Sequence, residues 1–140
     1  MSEAGFQIDA RLEADCYSLG EWPLCRVLLM DDARYPWLIL VPRRADLAEI
    51  TDLPAVEQVI LFGEITRAMG ALSGVTRPDK MNMAALGNTV SQLHVHVIAR
   101  YVSDEAWPGP VWGKGQRRAY PPHMVGPLMD KLCKAMELPA

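Results

Sequence analysis

Residues 92–100, Gln-Leu-His-Val-His-Val-Ile-Ala-Arg, set two of the chain's three histidines two positions apart inside an apolar, β-branched run. Such a run predicts a strand. Side chains alternate along a strand, so Gln92, His94, His96 and Ile98 share one face, while Leu93, Val95, Val97 and Ala99 share the other. The second face is core. Imidazoles do not strengthen a sheet, so a core strand that carries two of them on its opposite face points to chemistry there.

At 140 residues, half of them apolar, the chain fits one globular domain, 1–140, with interior enough for a real core. Its core is expected over about 6–103, with a C-terminal extension and helix over about 104–140. A net charge of −3 and an isoelectric point near 5.6 argue against nucleic acid or an anionic membrane as partner. The three cysteines, Cys16, Cys25 and Cys133, are odd in number and lack CxxC spacing, which suggests neither a disulfide framework nor a zinc ribbon. A reducing compartment fits. The opening Met-Ser-Glu-Ala-Gly lacks a basic segment followed by an apolar one, and the apolar runs at 27–30 and 37–41 are too short to span a bilayer. The expected location is cytoplasmic.

The order of elements predicts an α+β fold. Phe6, Ile8, Leu12 and Cys16, with acids between them, fit a short amphipathic helix over 6–16, punctuated by Gly20 and Pro23. Residues 25–30 and 37–41 read as an antiparallel strand pair joined by a turn-rich link. Thr51 and Asp52 are cap candidates before Pro54, and Val56, Val59, Ile60, Ile65 and Met69 carry one buried face of a long helix over 55–72, stopped at Gly74. A strand over 80–86 and the loop Gly87-Asn88-Thr89-Val90-Ser91 then lead into 92–100. Residues 102–120, rich in Trp, Pro, Gly, Lys and Arg, read as an extended segment, and a last helix over 124–137 enters through Pro121 and Pro122.

Two same-face histidines admit three readings. They are a hydrogen-bonded structural pair, two ligands of one metal ion that needs a third and fourth, or a nucleophile with its hydrogen-bonding partner in phosphoryl chemistry. The metal reading would draw on His123, Asp31 or Asp32. The third reading needs an anion-binding loop, and Gly87–Ser91 offers a flexible backbone, two hydroxyls and an amide just upstream.

Residues 92–98 resemble the signature of the histidine triad nucleotide-binding family, His-φ-His-φ-His-φ-φ with φ apolar, at every position but the first, where Gln92 stands. Asn82 and the Gly87-Asn88-Thr89-Val90 loop resemble the family's strand asparagine and its Gly-Gln-Ser/Thr-Val loop. Residues 37–42, Trp-Leu-Ile-Leu-Val-Pro, resemble its His-φ-Leu-Val-φ-Pro strand.

The resemblance implies an antiparallel sheet of about five strands with one long helix and further short helices, paired as a homodimer. It implies a hydrolase or transferase that cleaves the α-phosphate bond of a purine nucleotide or nucleotide conjugate, a phosphoramidate or a dinucleoside polyphosphate. His94 would be the nucleophile that becomes nucleotidylated, and His96 the partner of the leaving group or phosphate oxygens. Thr89 and the backbone of Gly87, Asn88 and Val90 would cradle the phosphate, with Asn82 at its side. Asp31 would grip the ribose, and Leu28, Leu29 and Phe6 would wall the base. No cofactor and no metal enter this chemistry.

Gln92 replaces the first triad histidine, and Trp37 stands where many members carry a fourth, supporting one. The expectation is that the Trp37 indole and the Gln92 amide replace an imidazole pair, and that a site without that cation stabilises transition-state charge less well. A nucleotide-binding protein with little turnover is the alternative. In the C-terminal segment, Trp107, Trp112 and Lys114 are candidate contacts for the leaving group, with Arg117 and Arg118 beside them. Packing of the indoles on the sheet is the competing reading.

Overall fold

The computed structural model describes residues 4–139; Met1–Glu3, part of the opening segment on which the expected location rests, and Ala140 lie outside the described residues. A short helix α1 (Ala10–Asp15) precedes strands β1 (Cys16–Glu21), β2 (Cys25–Met30) and β3 (Trp37–Pro42). Helix α2 (Ala55–Thr76), strands β4 (Lys80–Ala84) and β5 (Val95–Arg100) and helix α3 (Pro122–Ala135) follow. All strand pairs are antiparallel, and the order across the sheet is β1-β2-β3-β5-β4. The histidine strand β5 is therefore interior, flanked by β3 and β4.

The sheet has two differently used faces. Val27, Leu29, Leu38, Leu40, Val95, Val97 and Ala99 form one core with Leu61, Ile65, Ala68 and Leu72 of α2 and Leu132 and Cys133 of α3. Leu28, Trp37, Ile39, Val41 and Ile98 form the other, closed by Leu12 of α1 and by Ala106 and Val111 from the segment after β5. Both faces of β3 are thus covered, which explains its unbroken apolar run. Glu64 of α2 is 6 % exposed and accepts hydrogen bonds from the backbone N–H groups of Leu24 (2.9 Å) and Cys25 (2.8 Å), pinning the long helix to the start of β2.

Several sequence expectations are corrected. The first helix covers only Ala10–Asp15, and the chain continues directly into β1, with Gly20 inside that strand at a register shift rather than ending an element. Gly20 has φ +142°, a backbone conformation that residues with a Cβ rarely adopt, and it lies against the side chain of Leu138. Asp52 does not cap α2; it closes a 3₁₀ turn at Ile50–Asp52 by accepting from the backbone N–H groups of Ala48 and Glu49. Helix α2 passes Gly74 and runs to Thr76, with Arg77 as a left-handed C-cap (φ +49°) whose backbone N–H donates to the Ser73 carbonyl, and Pro78 beyond it cannot continue the helix. At 22 residues α2 is long and apolar enough, by length and composition, to cross a membrane. Here its inner stripe and Glu64 are committed to the sheet.

Candidate active site

His94 sits one residue before β5 and His96 at its second position, both on the face away from α2. The pairings of β3 and β4 with β5 bring Ile39 and Ala84 level with His96, and Trp37 and Asn82 level with Ile98, all on that same face. The His94 and His96 rings lie 4.8 Å apart, centre to centre, edge to face. Both are buried, at 6 % and 5 % exposure.

Each ring has a defined backer. His94 Nδ1 is 2.6 Å from the backbone carbonyl of Gln92. A carbonyl only accepts, so this nitrogen carries the proton, and in the neutral ring Nε2 holds the free lone pair. His96 Nδ1 is 3.0 Å from the indole Nε1–H of Trp37. An indole N–H only donates, so His96 Nδ1 is bare and the ring proton is on Nε2. Burial, and secondarily the neighbouring His94, pushes the His96 pKa down to about 3. Two adjacent imidazoles therefore hold opposite tautomers, one poised to attack and the other to donate.

Gln92 does not stand in for an imidazole against these rings. Its Oε1 accepts from the Asp9 backbone N–H and its Nε2 donates to the Gln7 carbonyl, both at 2.8 Å, so the amide stitches the N-terminal segment to the histidine strand. Arg11 adds a second stitch, donating to the Thr89 carbonyl at 3.0 Å. Asp9, whose side chain caps α1, is held below the usual carboxylate range by the Arg11 guanidinium and backbone N–H, with a smaller contribution from His94. No sequence pattern announces these contacts, which join residues more than 75 positions apart.

The other candidates divide clearly. Gly87, in the left-handed region at φ +74°, lines a cleft with Gln92, Leu93 and His94, and Asn88 and Thr89 face solvent beside it. Val90 packs on the histidine face of the core. Asn82 Oδ1 accepts from the guanidinium of the buried Arg100 (2.9 Å), leaving its amide nitrogen for another partner. Asp31, at the end of β2, accepts from the Tyr120 backbone N–H (2.8 Å) and lies 3.7 Å from Arg117. Leu29 cannot wall the site: it is fully buried on the opposite face, beneath the helices, whereas Leu28, Phe6 and Ile8 belong to the histidine face.

Of the two tryptophans in the C-terminal segment, Trp112 reaches the site, its ring 5.0 Å from His96 and 5.8 Å from Trp37. Lys114 lines the cleft that Trp112 and Trp37 share. Trp107 does not reach it and instead packs over the Arg100 guanidinium at 5.7 Å. Arg100 is the anchor of this segment, paired twice with Asp104 (2.8 and 3.0 Å) and donating to the Gly109 carbonyl. His123 lies exposed at the start of α3. Among the described residues no three His, Cys, Asp or Glu side chains converge as metal ligands, so a metal on His94 and His96 has no third ligand there.

An antiparallel five-stranded sheet that presents two oppositely protonated, strand-borne histidines beside a glycine-bearing loop defines a histidine triad type of protein. The family profile agrees: the HIT domain matches residues 11–103, and the chain belongs to that family. A histidine triad protein from Bradyrhizobium japonicum is 47 % identical, with a TM-score of 0.92 over 94 % of this chain and 98 % of its own. One from Sinorhizobium meliloti is 42 % identical (TM-score 0.93, 96 % and 99 % covered), and one from Marinobacter aquaeolei is 46 % identical (0.92, 94 % and 96 %). A comparison with curated proteins gave no match. Members of this family are in general nucleotide-binding hydrolases and transferases.

Proposed function

We propose that this protein is a nucleotidyl hydrolase or transferase in which Nε2 of His94 attacks the α-phosphorus of a purine nucleotide conjugate, a phosphoramidate or a dinucleoside polyphosphate. The observation that carries the reading is the 2.6 Å contact between His94 Nδ1 and the Gln92 carbonyl. It aims the lone pair and offers a partner for the positive charge that the ring gains on bonding to phosphorus. The Gly87–Val90 backbone, Thr89 and the Asn82 amide receive the phosphate, and Asp31 the ribose. The base lies toward Leu28 and Phe6. Water then attacks phosphorus, and the P–N electron pair returns to His94.

The test is direct. Mixing the protein with excess adenosine conjugate and quenching in alkaline denaturant should give a protein mass increased by one nucleotidyl group, and the increment should be missing in His94→Ala. Nucleotide-induced stabilisation of the native chain without that increment or product would instead support the binding-protein reading, favoured by the diversion of the Gln92 amide to the N-terminal segment.

A homodimer is the second part of the proposal. Strand β4 is an edge of the sheet, and Met83 and Leu86 near it are exposed, as are Val56, Val59 and Phe62 on α2. A second copy covering these surfaces would remove an open edge and an apolar patch together. Sedimentation equilibrium should give twice the chain mass, and a monomer throughout the micromolar range would contradict it.

A further inference from the structure

We infer that His96 is a fixed neutral donor which moves no proton, so that the site takes nucleotide conjugates whose leaving group departs as an oxyanion, a phosphate, polyphosphate or carboxylate, and discriminates against amines. The inference deepens the nucleotidyl-transfer reading and rests on it.

Trp37 imposes this limit. Its indole N–H fills the acceptor site on His96 Nδ1, and no rotation of an indole turns it into an acceptor. To become imidazolium, His96 would have to add a proton at the nitrogen that already faces the indole hydrogen, losing that bond and leaving two donors opposed. The rings that surround it carry no carboxylate, so the cation gains no ion pair from them to offset the loss. Trp37 and Trp112 are neutral, at 5.6 and 5.0 Å between centres, and His94 repels it once charged. The neutral ring, for its part, surrenders its Nε2 proton only by becoming an imidazolate, which is out of reach at ordinary pH. His96 can donate a hydrogen bond from Nε2, and nothing more.

That limit sorts leaving groups. When the bond broken is the bridging P–O of an anhydride, the His94 Nε2 lone pair forms the N–P bond and the P–O electron pair departs with the oxygen. The resulting oxyanion accepts the His96 Nε2–H hydrogen bond, and no proton changes hands. The Nδ1 proton of His94 stays on its ring, facing the Gln92 carbonyl. In the following step one proton of the attacking water passes to solvent. An amine, by contrast, leaves phosphorus only after its nitrogen is protonated, and this ring has no proton to give. The cleft that Trp37 and Trp112 share beyond His96 is lined by Arg34, Lys114 and Arg117 and by Asp15 and Asp32, an excess of one cationic side chain that suits an anionic leaving group.

Two measurements on the full chain test this. First, kcat/KM is compared for P1,P3-diadenosine triphosphate and adenosine 5′-phosphoramidate in the native protein and in Trp37→Phe, which keeps an aromatic ring and removes the N–H. The anhydride should be preferred by about 100-fold or more, the range that general acid catalysis ordinarily supplies, and the variant should narrow the ratio by at least about tenfold as His96 becomes protonatable. Second, nitrogen-15 spectra of the native imidazoles should show His96 bare at Nδ1 and protonated at Nε2 from pH 7 down to pH 5, independently of activity and of how Trp37→Phe folds. A phosphoramidate cleaved as fast as the anhydride, or an imidazolium His96 at pH 5, overturns the inference while leaving nucleotidyl transfer standing. Failure of both substrates to react, with the tautomer as expected, overturns the nucleotidyl-transfer reading and this inference with it.

Discussion

The indole nitrogen of Trp37 lies 3.0 Å from Nδ1 of His96, and this contact sets the tautomer of His96, as the Gln92 carbonyl sets that of His94. A histidine at position 37 could have donated or accepted. Tryptophan can only donate, and it thereby turns a titratable partner into a permanent neutral one.

A pH dependence of stability follows. The folded pKa of His96 lies near 3, below the unfolded value near 6.5, so between those pH values the unfolded chain binds the extra proton. Stability is unaffected by this group above pH 6.5 and falls as pH drops toward 3, with a slope of at most about 1.4 kcal/mol per pH unit. Urea midpoints of the native protein and His96→Asn at pH 7 and pH 4.5 should show the larger acid loss in the native protein. Equal losses would contradict the assignment.

Gln92→Ala should lower stability by about 1–2 kcal/mol, because it deletes two hydrogen bonds that fasten residues 7 and 9 to the histidine strand. Gln92→His should not restore them, since an imidazole cannot donate and accept from a single terminal group as the carboxamide does. Amide hydrogen exchange at Asp9 should quicken in both variants. Unchanged protection there would show that the amide does not hold this segment.

Glu64→Ala leaves the Leu24 and Cys25 backbone N–H groups without their buried acceptor, and a loss of about 2–4 kcal/mol is expected. Glu64→Gln keeps one carbonyl oxygen and should recover part of it. Chemical denaturation of the three proteins orders them.

Among the described residues the Tyr35 hydroxyl is buried without a hydrogen-bond partner, in a side chain that is itself 0 % exposed. Removing it relieves a desolvated polar group, so Tyr35→Phe should be neutral or stabilising by up to about 1 kcal/mol. A clear destabilisation in thermal melts would mean that the hydroxyl has a partner.

The sequence made the interior of the sheet legible where one pattern dominated. The apolar runs of β2, β3 and β5 and the presence of a long helix at α2 were readable by themselves, but the buried face of α2 was not. Val56, Val59 and Ile60 are exposed, and Leu61, Glu64, Ile65, Ala68 and Leu72 face inward, because a helix apolar on several sides does not mark which one packs. Strand β1 was not, because Cys16-Tyr-Ser-Leu-Gly-Glu has no continuous alternation and carries Gly20 at a register shift. Leu29 was assigned to the wrong face for a related reason. Val27, Leu28 and Leu29 are all buried, and a strand covered on both sides carries no polar residue to mark which side is which. At the site, the pairing of Trp37 with the histidines was legible from the motif, since both belong to adjacent strands. The Gln92 clasp was not, because its partners are main-chain atoms of residues 7 and 9, which no side-chain pattern announces.

The most direct measurement of the central claim is AMP release from an adenosine anhydride or phosphoramidate, with a metal chelator present, by the native chain and by His94→Asn. The account predicts release by the native protein and a fall of at least about 10³-fold in the variant, with the two proteins melting alike. Release at the native rate from His94→Asn, or none from the native protein with either substrate, would contradict it.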